Sequence, residues 1–284
     1  MFDKDFEYDI NSKGRIYNLL VLKGESLIKA HFLARRQGFK EGESYANFYS
    51  AMSDQIDLLL SYYINVAITA SLDARGGLVD LIEETINDYY EEEHFKRLEF
   101  AKEDLQTLFK WKTDFLVSSS LLDFKVSTYS VFEFYVDKLY EQLISIHPRS
   151  NKKEEDLISL IRECPPDASE EIMYELVDKI KRISFYVSGS EKINYVISKS
   201  KLSKEEKKEA REFISFYGSQ RNTIHNLGIN KGKSKSITVK DINVTLDEGC
   251  PSYTDNHNST FFACQKLMEI YGKIHQDITG EVCF

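Results

Sequence analysis

An all-α fold is what this sequence predicts, and three observations lead there. Only 13 glycines and 4 prolines punctuate 284 residues, too few for a turn-rich β architecture. Long stretches repeat apolar residues at intervals of three and four, the spacing of one helix face. A single stretch, residues 237–246, alternates and is rich in β-branched side chains, so the expected β content is one small excursion. Hydrophobic residues make up 42%, with 18 Phe and 17 Tyr, which is ample for a packed core and sets disorder aside.

Each element follows from local pattern. After an acidic lead, residues 15–36 carry Ile16, Leu19, Leu20, Leu27, Ile28 and Leu33 at near-helical spacings. Gly38 and Gly42 mark a turn. Ser44 is placed to cap a second helix to about residue 72, striped by Phe48, Met52, Ile56, Leu59, Leu60, Tyr63 and Val66. Gly76 and Gly77 break the chain, and a helical pattern resumes over 78–112 with an interruption near 91–94. Residues 115–146 form the most hydrophobic long helix, with Phe124, Tyr129, Phe132, Tyr135, Val136, Leu139 and Leu143 along one stripe.

His147-Pro148 ends that helix, a basic polar loop follows, and a short helix over 154–162 stops at Pro165-Pro166. Asp167 and Glu170 have the form of a capping box opening a helix through Tyr186. A short amphipathic piece at 191–198 leads to a second capping box, Ser203 with Glu206, which starts a helix running into residues 219–228. Past the 237–246 strand, a turn-rich loop and an amphipathic helix over 261–278 close the chain. The sequence holds no internal repeat and no low-complexity segment. A boundary falls near Trp111, dividing an N-terminal helical region, 1–110, from a second helical region, 111–284.

A formal net charge of −9 and a pI near 5.3 exclude a protein whose whole surface is a basic coat for nucleic acid. The charge is uneven, however. Between Lys201 and Lys240 stand ten basic residues and only four acids, Glu205, Glu206, Glu209 and Glu212. The four cysteines are scattered with no C-x-x-C pair, which argues against a zinc site or a disulfide framework and fits a reducing cytoplasm. The start of the chain lacks a signal-peptide pattern, and the most apolar run, 58–70, is too short for the roughly 20 residues of a membrane helix. The reading is a cytoplasmic protein with no membrane partner.

No P-loop, Gly-rich dinucleotide turn, H-E-x-x-H or nucleophile elbow is present. Glu91-Glu-Glu-His94 is no metal cluster, because consecutive helical residues point in different directions. His31, His147, His257 and His275 have no partner at a recognisable spacing and read as surface or core histidines.

The stretch with chemical content is 219–228, Ser-Gln-Arg-Asn-Thr-Ile-His-Asn-Leu-Gly. Arg221 and His225 are four apart, which on a continuous α-helix puts them on one face, and Asn222 and Asn226 form a second pair of that spacing. A guanidinium that matches phosphate, beside an imidazole that titrates near neutrality, suits metal-free phosphodiester chemistry. The same residues also suit a helix C-terminus, with a basic residue at the negative end of the dipole and Gly228 beyond it. Glu133 and Asp137 are a carboxylate pair embedded in the most apolar helix, a costly placement unless something pairs with them. Either one edge of that helix is exposed, or one of the acids anchors Arg221 or His225.

The Arg-Asn start and His-Asn-x-Gly end of 221–228, the loop, strand and closing helix that follow, and the acid-bearing apolar helix at 127–137 together resemble HEPN domains, the higher eukaryote and prokaryote nucleotide-binding helical domains. The resemblance covers residues 115–278. It implies a HEPN-type helical bundle and a metal-independent endoribonuclease of the toxin or abortive-infection (phage-defence) kind, in which the RNA 2′-hydroxyl attacks the adjacent phosphate to leave a cyclic phosphate. It gives His225 the role of general acid or base and Arg221 that of phosphate ligand, with Asn222, Asn226, Glu133 and Asp137 in support. It implies no cofactor and no metal, RNA as the partner, and a homodimer with a composite site. An antitoxin or regulatory protein is a further partner of such systems. Three residues separate Arg221 from His225, fewer than the family's usual gap, and Leu227 stands where some relatives carry a modifiable tyrosine. Many such domains are catalytically silent, so a silent module binding RNA or protein, or a helical interaction scaffold, stands as the alternative function.

Overall fold

The structure, a computed structural model, describes residues 10–37, 44–73, 77–88, 92, 113–147, 152–165, 167–182, 187–252 and 257–279. Among these, nine α-helices and one two-stranded sheet are present, so the chain is mostly helical with a small β excursion, as its pattern predicts. The helices are α1 (Ile10–Gln37), α2 (Ser44–Asp73), α3 (Gly77–Asp88), α4 (Thr113–Ile146), α5 (Lys152–Glu163), α6 (Glu170–Arg182), α7 (Gly189–Lys199), α8 (Lys204–Asn222) and α9 (His257–Thr279). The Glu91–His94 run and the Trp111 boundary lie outside the described residues, apart from Glu92, as does the predicted helix end at Tyr186.

The 34-residue α4 is the axis of the fold. It packs against α2 and α9 on one side and α7 and α8 on the other. Phe132, Val136 and Leu139 are wholly buried, with Phe124, Tyr129 and Leu143 nearly so, which is the stripe its sequence predicts. Residues from both sides of Trp111 enter one hydrophobic cluster. At its centre the Phe48 ring of α2 stacks on Tyr271 of α9 with centroids 3.8 Å apart, and Tyr45, Tyr49 and Tyr135 close around them. Aromatic packing of this kind adds to the burial of apolar area and fixes relative helix orientation.

The inward face of α1 differs from its expected stripe. Leu20 and Ile28 are exposed, and the buried line runs Arg15, Leu19, Leu22, Ser26, Ala30. Helix α1 has apolar residues on more than one face, so spacing alone cannot choose between them; the choice comes from α2, whose Tyr49 carbonyl accepts a hydrogen bond from the Ser26 hydroxyl. Helix α6 begins at Glu170, so Ser169 occupies the cap position rather than Asp167. The Ser203–Glu206 capping box forms in full, and a further one, Ser188 with Glu191, opens α7.

The 237–246 segment is a hairpin, not one strand. β1 (Lys235–Val239) pairs antiparallel with β2 (Ile242–Leu246), with Val239 opposite Ile242. Lys240 and Asp241 between them have φ of 42° and 67°, the left-handed pair that a type I′ turn requires. Aspartate tolerates that conformation, yet the turn carries no glycine, so the usual sequence signal for a hairpin is missing.

Candidate functional site

Glu133 and Asp137 project from α4 as the sequence places them, half-buried, and each has found a cation. Arg221 Nη2 donates to Glu133 Oε2 at 2.6 Å. Asp137 pairs with Lys192 of α7, and that bond holds the Lys192 ammonium above its ordinary range. So one of the two acids does anchor the Arg221 guanidinium, as one of the two sequence readings has it; the other serves α7. Arg221 is about one-third exposed, and its Nη1 donates to Asn222 Oδ1 at 3.1 Å. A guanidinium has five N–H donors. Those two bonds leave donors available to a phosphate.

The glycine at the start of α7 leaves room for this arrangement. A Cβ on Gly189 would stand 2.5 Å from Glu133 Oε1, so a larger residue there would displace the carboxylate from the position in which it meets Arg221. Gly218 plays the same part in α8, where a Cβ would meet the Tyr129 hydroxyl at 2.7 Å. Tyr129 lies one turn before Glu133 on α4. Burial, and then the Glu133 carboxylate, push its phenol up to about 12, with Arg221 pulling the other way.

His225 is not on a continuous helix with Arg221. The α-helix ends at Asn222, and Thr223–Asn226 form a 3₁₀ turn capped by Leu227 at φ 55°. Four residues of α-helix would leave the two side chains roughly 40° apart around the axis. Substituting three 3₁₀ steps of about 120° each opens that to roughly 100°. The expected shared face of Arg221 and His225, and of Asn222 and Asn226, is therefore not formed. The cause is distant in sequence. Ser252 docks on the helix end: Gln220 Nε2 donates to the Ser252 carbonyl at 3.1 Å, the Thr223 hydroxyl bonds the Ser252 hydroxyl, and the Ser252 amide donates to Gly228 O at 2.7 Å. Thr223 also bonds back to the Gln220 carbonyl, which tightens the last turn. His225 is solvent-exposed, with no hydrogen-bond or charge partner among the described residues, and Asn226 is half-buried.

Two clefts meet at Arg221. One, of about 660 Å³, runs between α7 and α8, with Tyr129 and Glu133 at its floor and Arg211, Ser215, Asn194 and Ser190 among its walls. The other, of about 390 Å³, lies between α4 and α7 and includes Asp137, Lys192 and the half-exposed Phe134. Arg221 and Glu133 border both, and Asn222 borders the first. His225 and Asn226 stand beyond the walls. Tyr129 and Arg211 were legible in the sequence only in part. Tyr129 reads as core from its stripe, whereas Arg211 has no acid three or four residues away on its helix, a sign that its charge is meant for something else.

The histidines outside the motif sort as follows. His257 and His275 are buried and neutral: His257 Nδ1 bonds the Tyr63 hydroxyl at 2.9 Å, and His275 Nε2 the Ser44 hydroxyl at 3.3 Å. No helix among the described residues is long and apolar enough to cross a membrane. Comparison of the chain with protein-family models, with curated proteins and with solved structures finds no match.

Proposed function

We propose that this chain is a metal-independent endoribonuclease of HEPN type, of the toxin or phage-defence class, working as a homodimer. The observation that carries the reading is the Glu133–Arg221 pair, which holds a guanidinium in place where two open clefts meet, one helix turn before an exposed histidine. A guanidinium fixed this way needs little reorganisation to stabilise charge developing on a phosphate, which is the larger part of such catalysis. In this scheme Arg221 binds the scissile phosphate. His225 removes the 2′-hydroxyl proton or protonates the departing 5′-oxygen, the oxygen–phosphorus bond to the 2′-oxygen forming as the bond to the 5′-oxygen breaks. Asn222 holds the guanidinium from its other side. The apolar side chains around His225 fit a subunit interface: Leu227 is 89% exposed, and Ile224 and Ile229 are exposed beside it. A second copy covering that surface would bring two motif turns together and close a composite site.

The purified protein should cleave single-stranded RNA in excess EDTA and leave 2′,3′-cyclic phosphate ends. Arg221→Ala and His225→Ala should each remove the activity while the fold, read by circular dichroism, stays. Equal cleavage by wild type and both variants rejects the nuclease reading. A second reading, a silent RNA-binding module, is favoured by one feature: His225 stands outside both cleft walls. It predicts binding that weakens steeply with salt, dependence on Arg221 but not on His225, and no product.

A further inference from the structure

Helix α8 is electrically two-faced. Two of its four acids pair with α9, Glu206 with Lys273 at 3.0 Å and Glu209 with Lys266 at 2.8 Å, and Glu212 pairs with Lys208 of the same helix. Its arginines, Arg211 and Arg221, line the opposite side, the cleft shared with α7. The residues three and four away from Arg211 on the helix are Lys207, Lys208, Ile214 and Ser215. None can offer it a carboxylate, and the two lysines add positive potential. Among the described residues Arg211 has no acidic partner, although the protein as a whole is acidic by nine charges. The one carboxylate in the cleft, Glu133, is already neutralised by Arg221. Lys235 reaches the rim from β1, its ammonium donating to the Ser219 hydroxyl at 2.7 Å.

Between the two arginines the walls carry small neutral hydrogen-bonding groups at helical intervals. Ser215 and Ser219 follow Arg211 along α8 by fours, and Ser190 and Asn194 face them from α7. Ten residues of α-helix separate Arg211 from Arg221, roughly 15 Å along the axis. That exceeds the size of one phosphate and spans on the order of four nucleotide steps of a stacked strand at about 3.4 Å each. At about 660 Å³ the cleft is in the size range of pockets that take a small ligand, which is room for a stretch of one strand and not for a duplex.

We propose that the α7–α8 cleft is a track for a single nucleic-acid strand, with Arg211 as a second phosphate-binding residue remote from Arg221. The strand lies along α8, its phosphates meeting Arg221 at one end and Arg211 at the other, with Ser215 and Asn194 bonding the backbone between. This rests on the nuclease reading only in treating Arg221 as a phosphate ligand. Recognition is by charge and backbone, so it is tolerant of sequence.

The test uses the full chain and a 2′-O-methyl oligouridylate, which cannot be cleaved, labelled with fluorescein and followed by anisotropy between about 50 and 200 mM salt. An octanucleotide should bind much more tightly than a dinucleotide. Arg211→Gln, whose new side chain keeps the helix propensity of arginine, should weaken the octanucleotide roughly tenfold and reduce the salt slope by about 0.7, the loss of one single-strand phosphate contact. Dinucleotide binding should not change, and Arg211→Lys should restore the slope. A duplex of the same phosphate count should fail to compete. Equal octanucleotide affinity and slope in wild type and Arg211→Gln overturns the proposal, as does full competition by duplex. If RNA is not cut but the Arg211 dependence holds, the nuclease reading falls and the track stands; cleavage with no Arg211 dependence gives the reverse.

Discussion

The two buried histidines make the stability of this protein depend on pH in a definite way. Burial, with the Arg15 guanidinium second, holds His257 at about 3; burial alone holds His275 at about 4. Both lie below the ordinary histidine value of about 6.5 that the unfolded chain takes. Above 6.5 each imidazole is neutral in both states, and nothing is lost. As pH falls below 6.5 the unfolded chain binds protons that the native fold refuses, and stability drops by up to about 1.4 kcal/mol per pH unit for each histidine. The loss continues until each folded value is reached, near pH 4 for His275 and near pH 3 for His257. At about pH 5.5 the pair together has removed roughly 3 kcal/mol, a large fraction of the 5–15 kcal/mol typical of a domain.

The assay is urea unfolding of wild type and of the His257→Gln/His275→Gln variant, at about pH 7.5 and about pH 5.5. Glutamine keeps a polar group for Tyr63 and Ser44 but cannot take up a proton in this range. Carboxylates titrating elsewhere act on both proteins, so the difference between the two pH-dependent losses isolates the histidines. Wild type should lose roughly 3 kcal/mol more than the double variant, and each single variant should recover about half of that. Equal losses in wild type and variant would refute the reasoning, because they would mean the imidazoles can be protonated where they sit.

Two further substitutions probe the ground beneath the site. Gly218→Ala should gain about 1 kcal/mol from helix propensity, yet the new methyl meets the Tyr129 hydroxyl at 2.7 Å, an overpacking that typically costs 1–3 kcal/mol. Destabilisation of about 1 kcal/mol is expected in wild type, turning neutral or favourable in a Tyr129→Phe background; thermal melts of the four-protein cycle measure the coupling, and additivity would contradict the contact. Thr223→Val removes a buried hydroxyl that bonds both the Gln220 carbonyl and Ser252, so about 1–3 kcal/mol should be lost. Proton exchange at the Leu227 and Gly228 amides should rise more than in the core of α4, and uniform protection would argue that the turn does not depend on Thr223.

The class of the fold was readable because helix periodicity is local. The stripe of α4, the Ser203 capping box and the scarcity of breakers each depend on residues within a turn or two of one another. The pairing of Glu133 with Arg221 was half legible. The sequence left open an exposed helix edge or a partner in Arg221 or His225; it did not point to Lys192, and 88 residues separate Glu133 from Arg221. The lack of an acid three or four residues from Arg211 was visible in its own helix, although the cleft that gives it meaning was not.

What tertiary structure alone decided lies in three places. Leu20 and Ile28 of α1 face out because α2 selects one of two apolar faces. The 237–246 segment folds back at Lys240–Asp241 because a turn without glycine is bought by long-range packing of Val239 and Leu246 into the core. And the helix that carries Arg221 stops at Asn222, where Ser252 bonds Gln220 in its last turn and Thr223 just beyond it. Spacing can state which side chains would share a face if the backbone stayed regular. Whether the backbone stays regular is settled by hydrogen bonds from elsewhere in the chain, which is why the residues of 219–228 were evident in the sequence and the angle between Arg221 and His225 was not.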